Sequence, residues 1–106
     1  MPIFECKDVF GEDIICPYDR WQHILDHPEM YGQEGLVKAT IEDPDFITQD
    51  KYFENRFCNY KKLELPILGV NYIRVIVQKK SKKGIVISAF SCVGSAKGEK
   101  LIWKKK

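Results

Sequence analysis

The chain has 106 residues, of which 44% are hydrophobic and 30% charged, and its formal net charge at pH 7 is +2. This length and composition predict one globular domain over residues 1–106, with a modest core. No apolar run is long enough for a transmembrane helix, and residues 1–5 lack the layout of a signal peptide, so we expect a cytoplasmic protein without a membrane partner.

The small net charge conceals a strong asymmetry between the two halves of the chain. Residues 1–50 carry three basic and twelve acidic side chains, whereas residues 51–106 carry fourteen basic and three acidic ones. A basic half of this size attracts polyanions, and nucleic acid is the first candidate. The alternative is a solvated lysine-rich surface that has no specific partner.

The N-terminal half predicts a hairpin followed by two helices. Residues 3–8 and 13–16 have the composition of short strands around a turn. Pro17 suits the first position of a helix, which should end near His27 because the next residue is a proline. A second helix is predicted from about 33 to 42. The buried stripe of the first helix consists of Tyr18, Trp21, Ile24 and Leu25.

In the C-terminal half the hydrophobic period changes from helical to two. The predicted strands are residues 56–60, 70–78, 85–92 and 101–104, with the lysine-rich residues 79–84 as a hairpin loop. Helices followed by hairpin-connected strands predict an α+β fold, with the helices on one face of an antiparallel sheet.

Alternation along two of these strands assigns their side chains to the two faces of the sheet. The helix-covered face should carry Ile73, Val75, Val77, Ile85, Ile87 and Ala89. The other face, called here the second face, should carry Tyr72, Arg74, Ile76, Gln78, Val86, Ser88 and Phe90. The second face is therefore the expected location of a binding site.

The four cysteines, Cys6, Cys16, Cys58 and Cys92, lie far apart and form no CxxC motif. This spacing argues against a zinc ribbon or a redox motif and favours free thiols in a reducing compartment. We expect no cofactor.

His23 and His27 are the only histidines, and their spacing on a helix places both rings on one face. Three interpretations compete. A zinc site needs a third ligand, and a metalloprotease needs a glutamate where Ile24 follows His23, so the protease is excluded. The histidines are otherwise either structural or serve as proton-transferring or phosphate-contacting groups.

The basic half supplies groups suited to holding RNA. The candidate phosphate ligands are Arg56, Lys61, Lys62 and Arg74. Arg74 could instead pair with an acid, but residues 51–106 contain only three acids, which disfavours that alternative. Lys79, Lys80 and the remaining loop and tail lysines should provide general attraction. The rings of Tyr60, Tyr72, Phe90 and Trp103 could stack on bases, or belong to the core. Ser88 offers a hydroxyl group that could contact a phosphate.

The chain has no glycine-rich phosphate loop and no metal-ligand motif, so phosphate chemistry here would have to be metal-independent. RNA permits such chemistry because its 2′-hydroxyl can attack the adjacent phosphorus. The protein then supplies a base, an acid and cations.

The ordered motifs resemble a known superfamily. They are R-W-x-H-I-x-x-H-P-E-M (20–30), I-x-x-P-D-x-I (41–47), a basic aromatic strand at 56–60, Y-I-R-V-I-V (72–77), V-I-S-A-F (86–90) and G-E-K-L-I-W (98–103). This order, which spans about residues 18–104, resembles the phage-associated nuclease domains of the barnase–EndoU–colicin–RelE superfamily. The resemblance implies helices packed on a four-stranded antiparallel sheet, and a metal-independent ribonuclease often used as a toxin.

Carried over by position, the resemblance implies a catalytic histidine at His23 or His27, a cation at Arg56 with Lys61 or Lys62, and a hydroxyl at Ser88. Relatives often have tyrosine where this chain has Phe90, which lacks the phenol oxygen.

The prediction is therefore a metal-independent endoribonuclease that cuts RNA such as tRNA by transesterification, and the resemblance implies use as a toxin. The predicted catalytic residues are His23, His27, Arg56, Lys61 and Ser88. The predicted RNA-binding residues are Tyr60, Lys62, Tyr72, Arg74, Lys79, Lys80 and Phe90. An acidic antitoxin or immunity protein is a candidate partner. The alternatives are a non-catalytic RNA-binding or partner-binding domain, and a regulatory protein whose acidic half docks on a basic partner.

Overall fold

The computed structural model describes residues 1–67 and 69–106, with the backbone alone for residues 64–67 and 70. Its strands are β1 (Phe4–Lys7), β2 (Asp13–Cys16), β3 (Phe46–Gln49), β4 (Arg56–Ile67), β5 (Val70–Lys80), β6 (Lys83–Cys92) and β7 (Lys100–Lys104). The α-helices are α1 (Tyr18–Ile24) and α2 (Glu34–Glu42), and a 3₁₀ helix (Pro28–Met30) lies between them. No helix in the described part of the chain is long and apolar enough to cross a membrane.

The strands form one mixed sheet of seven, in the order β1-β2-β6-β5-β4-β3-β7. The prediction of an α+β fold with a four-stranded antiparallel sheet is therefore wrong, and the described residues form a mixed α/β fold, mostly strands, with two α-helices. The N-terminal hairpin joins the main sheet because β2 pairs with β6 in parallel over three residue pairs. The strand β3 was not predicted, because it has only four residues and no alternating pattern.

Both α-helices pack on the same face of the sheet. Trp21 and Ile24 of α1 and Val37 and Ile41 of α2 belong to one buried cluster with Val75 and its neighbours. The first helix ends at Ile24, earlier than predicted, and the chain restarts as the 3₁₀ helix with Pro28 at its first position. The second helix agrees with its prediction within one residue.

A bulge in β6 changes which side chains face the core. Ile76 pairs with Ser88 but Val77 pairs with Val86, so Ile87 is the extra residue. Val86 and Ala89 are consequently both buried, and Ile85 is 44% exposed. The predicted alternation is correct for β5 and wrong for β6 before the bulge.

Cross-strand pairing arranges the second face in rows that run from β4 through β5 to β6. The rows are Lys62–Tyr72–Cys92, Tyr60–Arg74–Phe90 and Cys58–Ile76–Ser88, and Arg56–Gln78–Ile85 follows beyond the bulge. The segment 93–99 connects β6 to β7, which lies at the far edge of the sheet. It therefore has to pass β5, β4 and β3, and its Glu99 contacts the second face.

Candidate functional site

The 3₁₀ helix brings His27 to the border of the second face. The imidazole lies 5.3 Å from the Phe90 ring, measured between centroids, with 30° between the ring planes. Glu29 fastens this helix to β6, because its carboxylate accepts a hydrogen bond from the Ser91 hydroxyl at 2.8 Å. The neighbouring strand β2 pairs with β6 only over Lys83–Ile85. The later part of β6 is therefore accessible to His27.

His23 lies elsewhere, although sequence spacing predicted that both imidazoles share one helix face. Its side chain is 63% exposed and lies 3.6 Å from the Asp26 carboxylate. The helical spacing does not apply because α1 ends at Ile24 and His27 has an extended backbone conformation. The structure thus places His27, and not His23, beside the predicted RNA-binding surface.

Arg74 continues the row that begins at His27. Its guanidinium carbon lies 5.3 Å from the Phe90 ring centroid and 5.9 Å from that of Tyr60. Both rings belong to its cross-strand neighbours, so the strand register itself holds these groups together. An imidazole, an aromatic ring and a guanidinium therefore follow one another across the second face, from the 3₁₀ helix over β6 to the central strand β5.

A buried carboxylate that the sequence analysis missed binds Arg74. The Glu99 side chain is 1% exposed and forms an ion pair with Arg74 Nη2. The alternative in which Arg74 pairs with an acid is therefore correct. The small number of acids in the basic half did not prevent this pairing, because one acid at the right position is sufficient. The available signal was a lone glutamate among lysines, directly before the strand β7.

Other donors converge on the same carboxylate. Tyr60 donates its hydroxyl hydrogen to Glu99 Oε1 at 2.5 Å, and Thr48 donates at 2.8 Å. The Cys58 thiol contacts Oε2 at 3.6 Å and accepts from Arg74 at 3.3 Å. A buried carboxylate with this many donors is well satisfied, so the group is firmly held.

Burial and the contacts among these groups shift their pKa values. Burial, then the hydrogen bond to Glu99, raises the pKa of the Tyr60 phenol, and burial raises the pKa of the Cys58 thiol to about 11. Burial acts to lower the pKa of Arg74, but contacts with Cys58, Tyr60 and Glu99 outweigh it and raise that pKa. All three groups are therefore protonated at neutral pH and can hold an anion.

The remaining predicted phosphate ligands lie at different places on the sheet. Arg56 donates to the Gln78 amide oxygen at 3.0 Å and covers the Phe53 ring at 4.0 Å, two rows from Arg74. Lys61 pairs with Asp43 at 3.4 Å on the helix-covered side, because it is opposite the buried Ile73. Only Lys62 of this group is exposed beside the row of Arg74.

The predicted aromatic and hydroxyl contacts with RNA also differ in their exposure and position. Tyr60 is fully buried, so it cannot stack on a base in this arrangement. Tyr72 and Phe90 are half-buried on the second face, and Tyr72 meets the Phe46 ring edge-on at 5.6 Å. Ser88 is half-buried one row from Phe90.

Lys79 lies in β5 and not on the hairpin loop as predicted. The turn is at Ser81 and Lys82, which have positive φ, and Lys80 is exposed at the end of the strand. The Lys79 ammonium pairs with Asp8 at 2.6 Å and Glu12 at 2.8 Å, and its side chain is 15% exposed. It connects the N-terminal hairpin to the sheet and is not presented to RNA.

Within the described residues, one group has the spacing of metal ligands, because ligand atoms of Asp50, Cys58 and Glu99 lie within 4.8 Å of one another. The Arg74 guanidinium already contacts both Cys58 and Glu99. This cluster therefore already has a cation of its own. The four cysteines are free, as predicted.

No family model, curated protein or solved structure matches this chain. The resemblance to the nuclease superfamily therefore stays a prediction. The geometry of the second face is what indicates a function for this chain.

Proposed function

We propose that the chain is a metal-independent endoribonuclease acting in the cytoplasm, which binds single-stranded RNA on the second face and cleaves it beside His27. The observation that carries this proposal is the row in which the His27 imidazole, the Phe90 ring and the Arg74 guanidinium are separated by two steps of 5.3 Å each. Proton transfer, base stacking and charge stabilisation each have a candidate group there.

The chemistry requires no group outside the RNA to attack phosphorus. The 2′-oxygen forms a bond to phosphorus while the bond from phosphorus to the 5′-oxygen breaks, which gives a cyclic phosphate and a 5′-hydroxyl. The 2′-hydroxyl loses a proton and the leaving oxygen gains one. An imidazole can do either at neutral pH, and His27 is exposed enough to reach the backbone. A guanidinium such as that of Arg74 stabilises the charge that develops on the phosphate oxygens.

Binding would use the aromatic ring of this row together with a second ring and a lysine from the next row. Stacking of a base on an aromatic side chain contributes about 1–3 kcal/mol, and it requires a base that is free of its own helix. Phe90 and Tyr72 expose part of their rings on the second face, and Lys62 is exposed opposite Tyr72. These features favour unpaired RNA, such as the loops of tRNA.

A second candidate function is RNA binding without cleavage. The ion pair between Arg74 and Glu99 favours it, because the guanidinium is already neutralised by a buried carboxylate. A phosphate would have to compete with Glu99 for that guanidinium.

The two histidines offer a matched test. Purified wild type, His27→Gln and His23→Gln are incubated with total tRNA in EDTA, and the fragment ends are analysed. We expect His27→Gln to lose about 10²–10⁴-fold in rate, the usual contribution of a general acid or base, and His23→Gln to match the wild type.

The outcomes separate the two candidates. Cyclic-phosphate ends that depend on His27 support the nuclease. A wild type that shifts tRNA on a gel without cutting it establishes the binding module instead. Equal rates in wild type and His27→Gln would exclude the proposed role of the imidazole.

If the enzyme is a toxin, expression should slow growth and His27→Gln should relieve the effect. The polarised charge leaves an acidic antitoxin as a candidate partner of the basic half.

A further inference from the structure

The donors around Glu99 form an anion site whose occupant is a carboxylate of the chain itself. The Cys58 thiol on β4 contacts Oε2 at 3.6 Å, and the nitrogen and oxygen donors that belong to the sheet are three: Thr48 Oγ1 on β3, Tyr60 Oη on β4 and Arg74 Nη2 on β5. We call these three groups the anion cradle. They come from three adjacent strands, so their geometry is fixed without any help from the segment that carries Glu99.

The cradle has the properties of an oxyanion site. It offers one cationic and two neutral donors, a combination that suits a phosphate as well as a carboxylate. Its burial strengthens each hydrogen bond and makes an empty cradle unfavourable, because Arg74 would keep a buried charge without a partner. Among the described side chains, Arg74 Nε is also buried without an acceptor, so the guanidinium has unused hydrogen-bonding capacity.

The carboxylate reaches the cradle from an exposed turn. Residues 95–98 are exposed, glycines occupy positions 94 and 98, and Gly98 has a φ of +93°. Within the described part of the chain, the side-chain hydrogen bonds and the ion pair that join this turn to β3, β4 and β5 are made by the Glu99 carboxylate, and Gly98 packs against the Lys51 side chain. Lifting the turn would uncover the cradle and leave the helix-covered cluster around Val75 in place, provided that another anion replaces the carboxylate.

We propose that the anion cradle is a phosphate-binding site that Glu99 closes in the free protein, and that an RNA phosphodiester occupies it when the 93–99 turn lifts. Arg74 lies in both the cradle and the row of His27 and Phe90, so the phosphate would be held next to the imidazole. The final step, that the phosphate belongs to RNA, rests on the proposed function. The anion site itself does not.

Inorganic phosphate tests the site independently of any cleavage. Thermal denaturation of wild type, Glu99→Ala and Glu54→Ala is followed against phosphate concentration in EDTA, with chloride keeping the ionic strength constant. Glu54 is an exposed acid in the same basic half, so its replacement matches the change in net charge. We expect Glu99→Ala to be stabilised by phosphate with an apparent affinity at least about tenfold higher than that of the two other proteins. Adding Thr48→Val or Tyr60→Phe should weaken this response.

The experiment still tests the anion site if Glu99→Ala does not fold in chloride. If Glu99→Ala is unfolded in chloride and folds in phosphate, the proposal is supported, because phosphate has replaced the carboxylate. Glu99→Gln, which keeps the shape of the side chain, provides the second variant. The proposal is overturned if both variants are folded and respond to phosphate no more than Glu54→Ala, or if both stay unfolded at high phosphate.

A non-cleavable 2′-O-methyl RNA oligonucleotide distinguishes a backbone phosphodiester from free phosphate. We expect it to bind Glu99→Ala more tightly than Glu54→Ala and to be displaced by inorganic phosphate. If phosphate binds and the oligonucleotide does not compete, the cradle stands as an anion site and its assignment to RNA is overturned. Because this RNA cannot be cut, the result is independent of whether the protein is a nuclease.

Discussion

Replacing Lys79 with methionine should destabilise the protein far more than the same change at the adjacent Lys80. The sequence predicted that both lysines lie on a hairpin loop and attract RNA. In the structure the Lys79 ammonium lies 2.6 Å from Asp8 Oδ2 and 2.8 Å from Glu12 Oε1. Lys80 is exposed. The pair of variants thus separates a buried structural lysine from a solvated one.

The expected magnitude follows from the partners that Lys79→Met leaves behind. Removing one member of a buried ion pair typically costs about 3–5 kcal/mol. Asp8 Oδ1 keeps hydrogen bonds from the backbone N–H groups of Phe10 and Glu12, at 3.0 and 2.9 Å. The Glu12 side chain is 23% exposed and can hydrate. We therefore expect a loss of about 2–3 kcal/mol for Lys79→Met, and a change within about 0.5 kcal/mol for the surface substitution Lys80→Met.

Urea denaturation followed by circular dichroism measures this difference as a shift of the midpoint at constant m-value. Equal midpoints for Lys79→Met and Lys80→Met would refute the reasoning, because the ion pair would then contribute nothing to holding the hairpin on the sheet.

RNA affinity should change in the opposite order. Each phosphate contact by a lysine contributes about 0.7 to the slope of log affinity against log salt for single strands. Lys80→Met should reduce that slope if this lysine contacts RNA, and Lys79→Met should leave it unchanged under conditions where the variant is folded.

Two further predictions concern local structure. Gly98→Ala should destabilise the protein by about 1 kcal/mol or more in urea denaturation, because an L-residue is strained at a φ of +93° and its Cβ would lie 2.6 Å from Lys51 Cδ. Gly35→Ala within α2, where nothing lies within 4 Å, should instead stabilise it by about 0.5–1 kcal/mol, and the same sign for both variants would contradict the argument. Desolvation acts to raise the pKa of Glu29. Hydrogen bonds from its own backbone N–H and from Ser91, together with the electrostatic interaction with His27, outweigh the desolvation and lower that pKa. Glu29 therefore adds stability above its ordinary pKa of 4.5, and this stability is lost as the pH falls through the lower value of the folded state. In thermal denaturation against pH, Glu29→Gln should be less stable than wild type at neutral pH and should lose less on acidification, and parallel pH profiles for the two proteins would contradict the argument.

Part of the candidate site was visible in the sequence. His27, Arg74 and Phe90 were each predicted to contribute, and the structure brings these three together. Their residue types and the alternation of β5 were sufficient for that prediction. The separation of His23 from His27 was not predicted, since it depends on where α1 ends and on how Glu29 attaches the next turn to β6.

Local patterns along the chain determined the elements whose character depends on neighbours in sequence. The alternation of Ile73, Val75 and Val77 identified the buried face of β5, and the restricted backbone before Pro28 indicated that the first helix could not continue past it.

Contacts between distant segments were decided only by the tertiary structure. The parallel pairing of β2 with β6, the bulge at Ile87 and the ion pair between Arg74 and Glu99 have no local signature. Periodicity reports which side of an element is apolar, but it does not report which other element covers that side. That choice is made by the free energy of the whole packed arrangement, in which a single acid delivered by a distant turn can neutralise an arginine in the middle of a sheet.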